Sequence, residues 1–364
     1  MLAGVSPITI AAIKEQAGEI PIVAAIHAQL QSRAVRTTKG GKPYFELVFA
    51  DSTGNFSLKI WSDSPMHAAA ADLADNTVVR LEGEWTQNQY GVNPNHLAWF
   101  HLDENAIADF LAGDPETREK QDRDLAEIRR LCDSIEDPRL HDLCAHFLLT
   151  LGDRFRRTAA ARKNHHARRG GLVEHVAQMM HSADALCPVY PELNRDLLLS
   201  GVLFHDCGKL WENSYPEDGF AQIHSIHGEM LGHIPLGIEL VNKLWNDLLE
   251  TADADWKSLK PSTEMTRLHL LHLIGSHHGQ YEFGSPVLPR TPEAIALHYI
   301  DNLDAKMEMI RDAYSQSNEI APGIYDRVFP LPTNLVRPLA SFIPQPPAPE
   351  IEVSAEDDET ADET

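Results

Sequence analysis

Between residues 20 and 102 apolar side chains recur at every second position or in short unbroken runs. Ile20 to Val35 is rich in β-branched residues and has no sustained helical period, which predicts a strand. Thr37-Thr38-Lys39-Gly40-Gly41-Lys42 predicts a turn, Tyr44 to Phe49 a second strand, and Asp51-Ser52-Thr53-Gly54 another turn. Phe56, Leu58 and Ile60 then alternate with polar neighbours up to Trp61. The Ala-rich stretch Pro65 to Leu73 predicts a short helix, and Thr77 to Thr86 and Tyr90 to Leu102 predict two further strands. Three strands, a helix and two strands follow the order of an OB-fold barrel.

From Asp103 the period changes. Asp103 to Leu111 reads as a connecting helix, and Gly113-Asp114-Pro115 marks a boundary. Up to Tyr314 apolar residues then recur at three- and four-residue spacing, as in Leu125-Ile128-Leu131 and Leu140-Leu143-Phe147-Leu148, which predicts an all-α domain. Beyond Ala321 the chain is rich in Pro, and its end is acidic and of low complexity, a composition that predicts disorder. The expected organisation is multidomain, β followed by α: an N-terminal segment 1–19, an OB-fold nucleic-acid-binding domain 20–102, a linker 103–119, a helical domain 120–318, a Pro-rich segment 319–348 and an acidic tail 349–364.

Composition changes this picture in one respect. The chain carries 31 basic against 54 acidic residues, a net charge of −23, which argues against broad coating of a nucleic-acid backbone. The distribution is uneven, however. Arg154 to Arg169 holds seven Lys or Arg and no acid, so any phosphate contact is confined to a local patch. No apolar run approaches a membrane span, and the N-terminus shows no export signal. Cys132, Cys144, Cys187 and Cys207 are scattered without a CxxC pair, which fits reduced thiols and a cytoplasmic protein.

The candidate chemistry lies among the chain's 19 His residues. The stretch from Gly201 to Leu210 brings an apolar approach to His205-Asp206, followed by Gly208 and Lys209. Imidazole nitrogen beside a carboxylate suits a divalent cation, and Lys209 falls one helical turn after Asp206. His175 opens another helix after Gly170-Gly171; His224, His227 and His233 follow, then His277-His278, and then His298 with Asp301 and Asp304. A helical bundle can bring such residues to one centre. The alternative for Lys209 is a solvated helix-face lysine, and for the basic run a solvated loop.

The order His, His-Asp, His, His-His, Asp resembles the HD-domain metal-dependent phosphohydrolases. The strings KNHHARRGGLVEHV, GHIPLG and SHHGQYEFGSPVLPRTPEAIALHYIDNLDAKME resemble the YhaM-type 3′-5′ exoribonucleases, which join an N-terminal OB-fold to an HD domain. The resemblance implies metal ligands at His175, His205, Asp206, His233, His277, His278 and Asp301, with Asp206 shared between two ions. It implies catalytic roles for Asp206 and Lys209, and one or two divalent ions, manganese ahead of cobalt, iron or zinc. His298 and Asp304 are candidates to orient ligands. Arg162, Lys163, Asn164, His165, His166, Arg168 and Arg169 become candidate substrate-binding residues. Tyr44, Phe56, Trp61, Trp85 and Tyr90 are candidates for stacking on bases, with barrel packing as the alternative. Tyr281, Glu282 and Phe283 could stack on or steer a terminal base, with core packing as the alternative.

The expected activity is metal-dependent 3′-5′ hydrolysis of single-stranded RNA, with single-stranded DNA as a further substrate and a homo-oligomer as the expected assembly. Two alternatives stand beside it. One is an HD-type nucleotide or cyclic-nucleotide phosphohydrolase, which would need neither an OB-fold nor a basic edge. The other is a non-catalytic RNA-binding adaptor, disfavoured because every expected ligand position is filled.

Overall fold

The computed structural model describes residues 5–341 apart from 39, 89–90, 163–165, 218, 221, 223, 252–255, 257, 318 and 330. Residues to Gln316 form one compact unit and those from Ser317 a second. The first unit contains a strand-built core and a helical core, each with its own cluster of buried apolar side chains.

The strand core begins with β1 (Pro7–Ile8) and α1 (Ile10–Gln16), followed by β2 (Ile22–Thr37), β3 (Pro43–Asp51), β4 (Gly54–Trp61), α2 (His67–Asp72), β5 (Val78–Asn88) and β6 (Gly91–His101). The sheet order is β4-β3-β2-β5-β6, with β1 parallel to β2 and the other pairs antiparallel. A three-strand meander whose first strand also pairs with the fourth is the OB-fold arrangement. β2 is long enough to pair with β1, β3 and β5, and its register shifts between Leu30 and Ser32, where a bulge lets a strand bend. α1 belongs to this core as well: Thr9 caps it, and Ile10 and Ile13 are fully buried among the strands.

Two of the residues expected to stack on bases are corrected by this core. Phe56 and Trp85 are 6% and 0% exposed and pack edge to face, and the Trp85 indole donates to Ala24 O at 3.0 Å. Period-two alternation turns both side chains inward, and a buried indole finds a backbone acceptor. Tyr44 and Trp61 instead sit opposite one another on β3 and β4 with ring centroids 4.9 Å apart, and Trp61 is 39% exposed. Lys59 and Lys42 approach these rings. Tyr90 lies outside the described residues.

The helices run α3 (Glu104–Ala112), α4 (Pro115–Asp133), α5 (Pro138–Arg157), α6 (Gly171–Leu186), α7 (Arg195–Phe204), α8 (Lys209–Glu212), α9 (Ile226–Leu231), α10 (His233–Thr251), α11 (Thr263–Ser276) and α12 (Pro292–Gln316). Asp103, Asp114, Asp137, Asn194, Ser225 and Ser262 each cap a helix N-terminus through the side chain, the role these residue types favour. Apolar stripes of α4 to α7, α10, α11 and α12 meet around Phe147, Phe204, Trp245 and Leu273. The two cores are joined where Asp114 N donates to Ser52 Oγ and Phe220 N to Gln29 Oε1, each at 2.8 Å. Among the described residues no helix is long and apolar enough to cross a membrane.

The second unit contains a small antiparallel sheet of β7 (Glu319–Ala321), β8 (Ile324–Tyr325) and β9 (Leu335–Val336). The acidic tail expected to be disordered lies outside the described residues.

Candidate metal centre

Two helices end at one point in the helical core. His205 caps the C-terminus of α7, and His277 caps that of α11. Carbonyls in the last turn of a helix lack intrahelical partners. Here the capping rings supply them: His205 Nδ1 donates to Val202 O at 2.7 Å, and His277 Nδ1 to Ile274 O at 2.8 Å. A carbonyl only accepts, so each Nδ1 carries a proton, and the neutral form of each ring presents its lone pair on Nε2.

Three further imidazoles are held in the same way. His175 Nδ1 donates to Asp304 Oδ2 at 2.7 Å, His233 Nδ1 to Glu212 Oε2 at 2.9 Å, and His278 Nδ1 to Phe283 O at 2.7 Å. The five Nε2 atoms converge in two groups. His175 Nε2 lies 3.3 Å from His205 Nε2, and His233 Nε2 lies 3.3 Å from His278 Nε2. Asp206 stands between the groups. Its Oδ2 is 3.3 Å from His205 Nε2, and its Oδ1 is 3.5 Å from His233 Nε2 and 3.6 Å from His277 Nε2. Asp301 Oδ1 completes the first group, 3.4 Å from His175 Nε2. All seven side chains that the sequence suggests as ligands are thus brought together.

The electrostatics fit a cation. Lone pairs facing each other at this range repel, and Asp206 Oδ1 and His277 Nε2 are buried with no hydrogen-bond partner. Burial holds His277 well below its ordinary pKa and also lowers His278, which keeps both rings neutral. Burial pulls on His175 too, but Asp301 and Asp304 outweigh it and hold that ring up at about 9, so without a cation Nε2 carries a proton that metal binding has to displace. Burial alone would raise Asp206 and Asp301. Lys209 and His205 instead hold Asp206 well below the carboxylate range, and His175 and His205 do the same for Asp301. Five imidazole nitrogens with two ionised carboxylates form a donor set compatible with divalent metal binding.

Lys209 Nζ donates to Asp206 Oδ2 at 2.5 Å, as the one-turn spacing predicts. Beside this pair a cavity of about 200 Å³ opens between Lys209, His278, Phe283, His298, Asp301 and Asn302. Phe283, 59% exposed, stands at its rim. Gly208 has a packing reason. A Cβ there would lie 1.9 Å from His233 O and 2.7 Å from Gly237 N, both backbone atoms of α10. Gly208→Ala therefore has to push away the helix that presents His233. We expect a 10–100-fold loss of divalent-metal affinity, comparable to disturbing a ligand's support, measured by equilibrium dialysis.

The basic run is mostly committed to internal contacts. His166 is 3% exposed and turned inward, Nε2 lying 3.2 Å from Asp304 Oδ2. Arg168 clasps Glu174 and reaches Glu308 Oε1 at 3.2 Å. Arg169 donates to the carbonyls of Pro216, Glu217 and Gly219 and covers Phe220. The expectation of a phosphate-gripping edge is corrected for these three, because buried carboxylates and loop carbonyls claim them first. Arg162 pairs with Glu229 at 2.9 Å near His224. Lys163, Asn164 and His165 lie outside the described residues. Glu212 and the Phe283 carbonyl were not anticipated. Glu212 comes three residues after Lys209, but nothing in that spacing marks it as the support of His233.

A strand meander of OB order joined to a helical core with this His and Asp constellation defines a class, that of an OB-fold joined to a helical domain with a candidate metal centre. The sequence model of the family described as HD domain matches residues 172–306. Three curated proteins named 3′-5′ exoribonuclease YhaM are similar over most of the chain. The Geobacillus sp. (strain WCH70) protein is 33% identical over 81% of this chain and 86% of its own length. Those of Bacillus pumilus (strain SAFR-032) and Bacillus velezensis (strain DSM 23117 / BGSC 10A6 / LMG 26770 / FZB42) are 33% and 34% identical, over 84% and 81% of this chain and 91% and 89% of their own lengths. The chain belongs to the YhaM family. A solved structure, the second OB-fold domain of replication protein A from Methanococcus maripaludis, aligns with 27% of this chain and 98% of its own at 14% identity and TM-score 0.20, and the strand order stands without it.

Proposed function

We infer that this chain is a metal-dependent 3′-5′ exoribonuclease that hydrolyses phosphodiester bonds of single-stranded RNA, with single-stranded DNA as a further substrate. The names of its relatives support the direction and the substrate. The observation that carries the chemistry is the shared Asp206 between two groups of inward Nε2 atoms, opening onto the small cavity. Divalent cations held there supply Lewis acidity and an activated water. His175, His205, Asp206 and Asp301 would hold one ion, and His233, His277, His278 and Asp206 the other. Manganese is our first choice for an imidazole-rich set, with cobalt, iron and zinc as competitors.

The chain's own groups do the rest. Lys209 sits at the cavity wall, where an ammonium can neutralise charge on phosphorus. A cavity of about 200 Å³ has room for a phosphodiester group beside Lys209 and Asp206. Tyr44 and Trp61, flanked by Lys42 and Lys59, offer a stacking face with cations for the strand farther from its end. One such face per centre makes a short track, so a homo-oligomer belongs to this reading. So does a cytoplasmic location, since all four cysteines are free thiols.

With 5′-labelled single-stranded RNA and Mn²⁺ we expect a ladder shortening from the 3′ end, abolished by EDTA. Hydrolysis of mononucleotides without a ladder would replace this reading with the small-molecule phosphohydrolase, and RNA binding without either reaction would replace it with an adaptor.

A further inference from the structure

His166 has a backbone that an L-residue rarely adopts. Its φ is 47°, and only Asn76 and His96 share a positive φ among the described non-glycine residues. Such a conformation persists where surroundings impose it, and it often marks a functional position. Here the surroundings are close. A Cβ on Gly171 would lie 2.0 Å from His166 O, so the loop can fold down on the start of α6 only because glycine stands there. The effect is to drive the His166 ring behind His175.

Behind that ring the two imidazoles share one oxygen. Asp304 Oδ2 accepts from His175 Nδ1 at 2.7 Å and faces His166 Nε2 at 3.2 Å, while Asp304 Oδ1 is buried with no hydrogen-bond partner. With one oxygen unanchored, the carboxylate's rotation is set by the two rings on the other. On its far side His166 Nδ1 faces Glu308 Oε1 at 3.7 Å and Glu174 Oε2 at 3.9 Å, both held by Arg168.

We propose that His166 is a positioning residue of the metal centre: with His175 it pins Asp304, and through Asp304 it aims the His175 Nε2 lone pair at the cation. This rests on the reading of His175 as a ligand. It removes His166 from the residues that grip RNA and ties the loop before α6 to metal affinity. Outer partners of ligating imidazoles commonly set affinity in this way.

The test is a titration of the full chain with Mn²⁺, without RNA, following the electron paramagnetic resonance signal of the free ion. His166→Ala should raise the Mn²⁺ dissociation constant about 10–100-fold. His166→Gln, whose amide can still donate toward Asp304, should recover most of the loss. Asp304→Asn should weaken binding similarly, and adding His166→Ala to it should cost little more, since both act through one contact. Should His166→Ala fail to fold, the Gln and Asn variants and their double carry the same comparison. Unchanged Mn²⁺ affinity with weakened RNA binding in EDTA would return His166 to the substrate site and overturn the proposal, as would additive losses in the double variant. If the wild-type protein binds no Mn²⁺, the reading of the centre itself is what fails.

Discussion

Asp206→Asn is expected to abolish the 3′-shortening ladder, by at least about a thousandfold, or ~4 kcal/mol of barrier. The substitution keeps the shape and removes the charge. Both carboxylate oxygens are in use, Oδ2 toward His205 and Lys209 and Oδ1 toward His233 and His277, so one change disturbs both groups. Bound Mn²⁺ should fall with activity, and the metal-free protein should also melt lower, because Lys209 loses its buried partner. The measurements are single-turnover cleavage of labelled RNA, metal content after dialysis, and thermal unfolding in EDTA. A Mn²⁺-dependent ladder that survives in Asp206→Asn would remove Asp206 from the site.

Glu174→Gln is expected to cost stability rather than chemistry. Glu174 is buried and accepts from Arg168 Nε at 3.1 Å, Gln121 Nε2 at 2.9 Å and Lys120 Nζ at 3.2 Å. Removing its charge leaves Arg168 half-buried with Glu308 alone. Breaking one side of a buried pair costs about 3 kcal/mol, which lowers the melting temperature by roughly 6–12 °C in a domain of this size. The pH dependence follows from the same contacts. Burial would raise the Glu174 pKa, but Arg168 outweighs it and holds the group at about 2. A carboxyl lowered in the folded state adds stability above its unfolded value and loses it as pH falls toward the folded one. The wild-type protein should therefore lose this contribution between pH 4.5 and 2, and Glu174→Gln should lack that part of the acid dependence. Chemical denaturation across this range would show it.

Much of this was legible in the sequence. Period-two alternation in Phe56-Leu58-Ile60, the turn strings beside it and the later change to helical spacing carry the strand order and the second, helical core. His205, His277 and Asp301 each stand beside an apolar helical run, and that placement is what delivers them inward. What a residue type cannot reveal is its partner. Phe56 and Tyr44 are both aromatics in strands, and only packing against the rest of the strand core, Trp85 in particular, decides which one is buried. Arg168 and Arg169 look like phosphate ligands until Glu174 and the carbonyls of Pro216 and Gly219 are seen against them. Glu212 is one of many acids in an acidic chain, and its role appears only when α8 is packed under His233.

The meeting of α7 and α11 sets an order of events. A helix C-terminus carries about half a negative charge, and both of these helices point that end at the centre. Asp206, Asp301 and Asp304 add full charges, and Lys209 with the His175 ring offsets two of the three, so the sum stays negative. A phosphodiester is itself an anion, so protein without its cations turns the strand's end away. On the reading of this centre as a metal site, ions are expected to bind before the RNA end. Cation supply then acts as a gate on substrate entry as well as a source of reactivity.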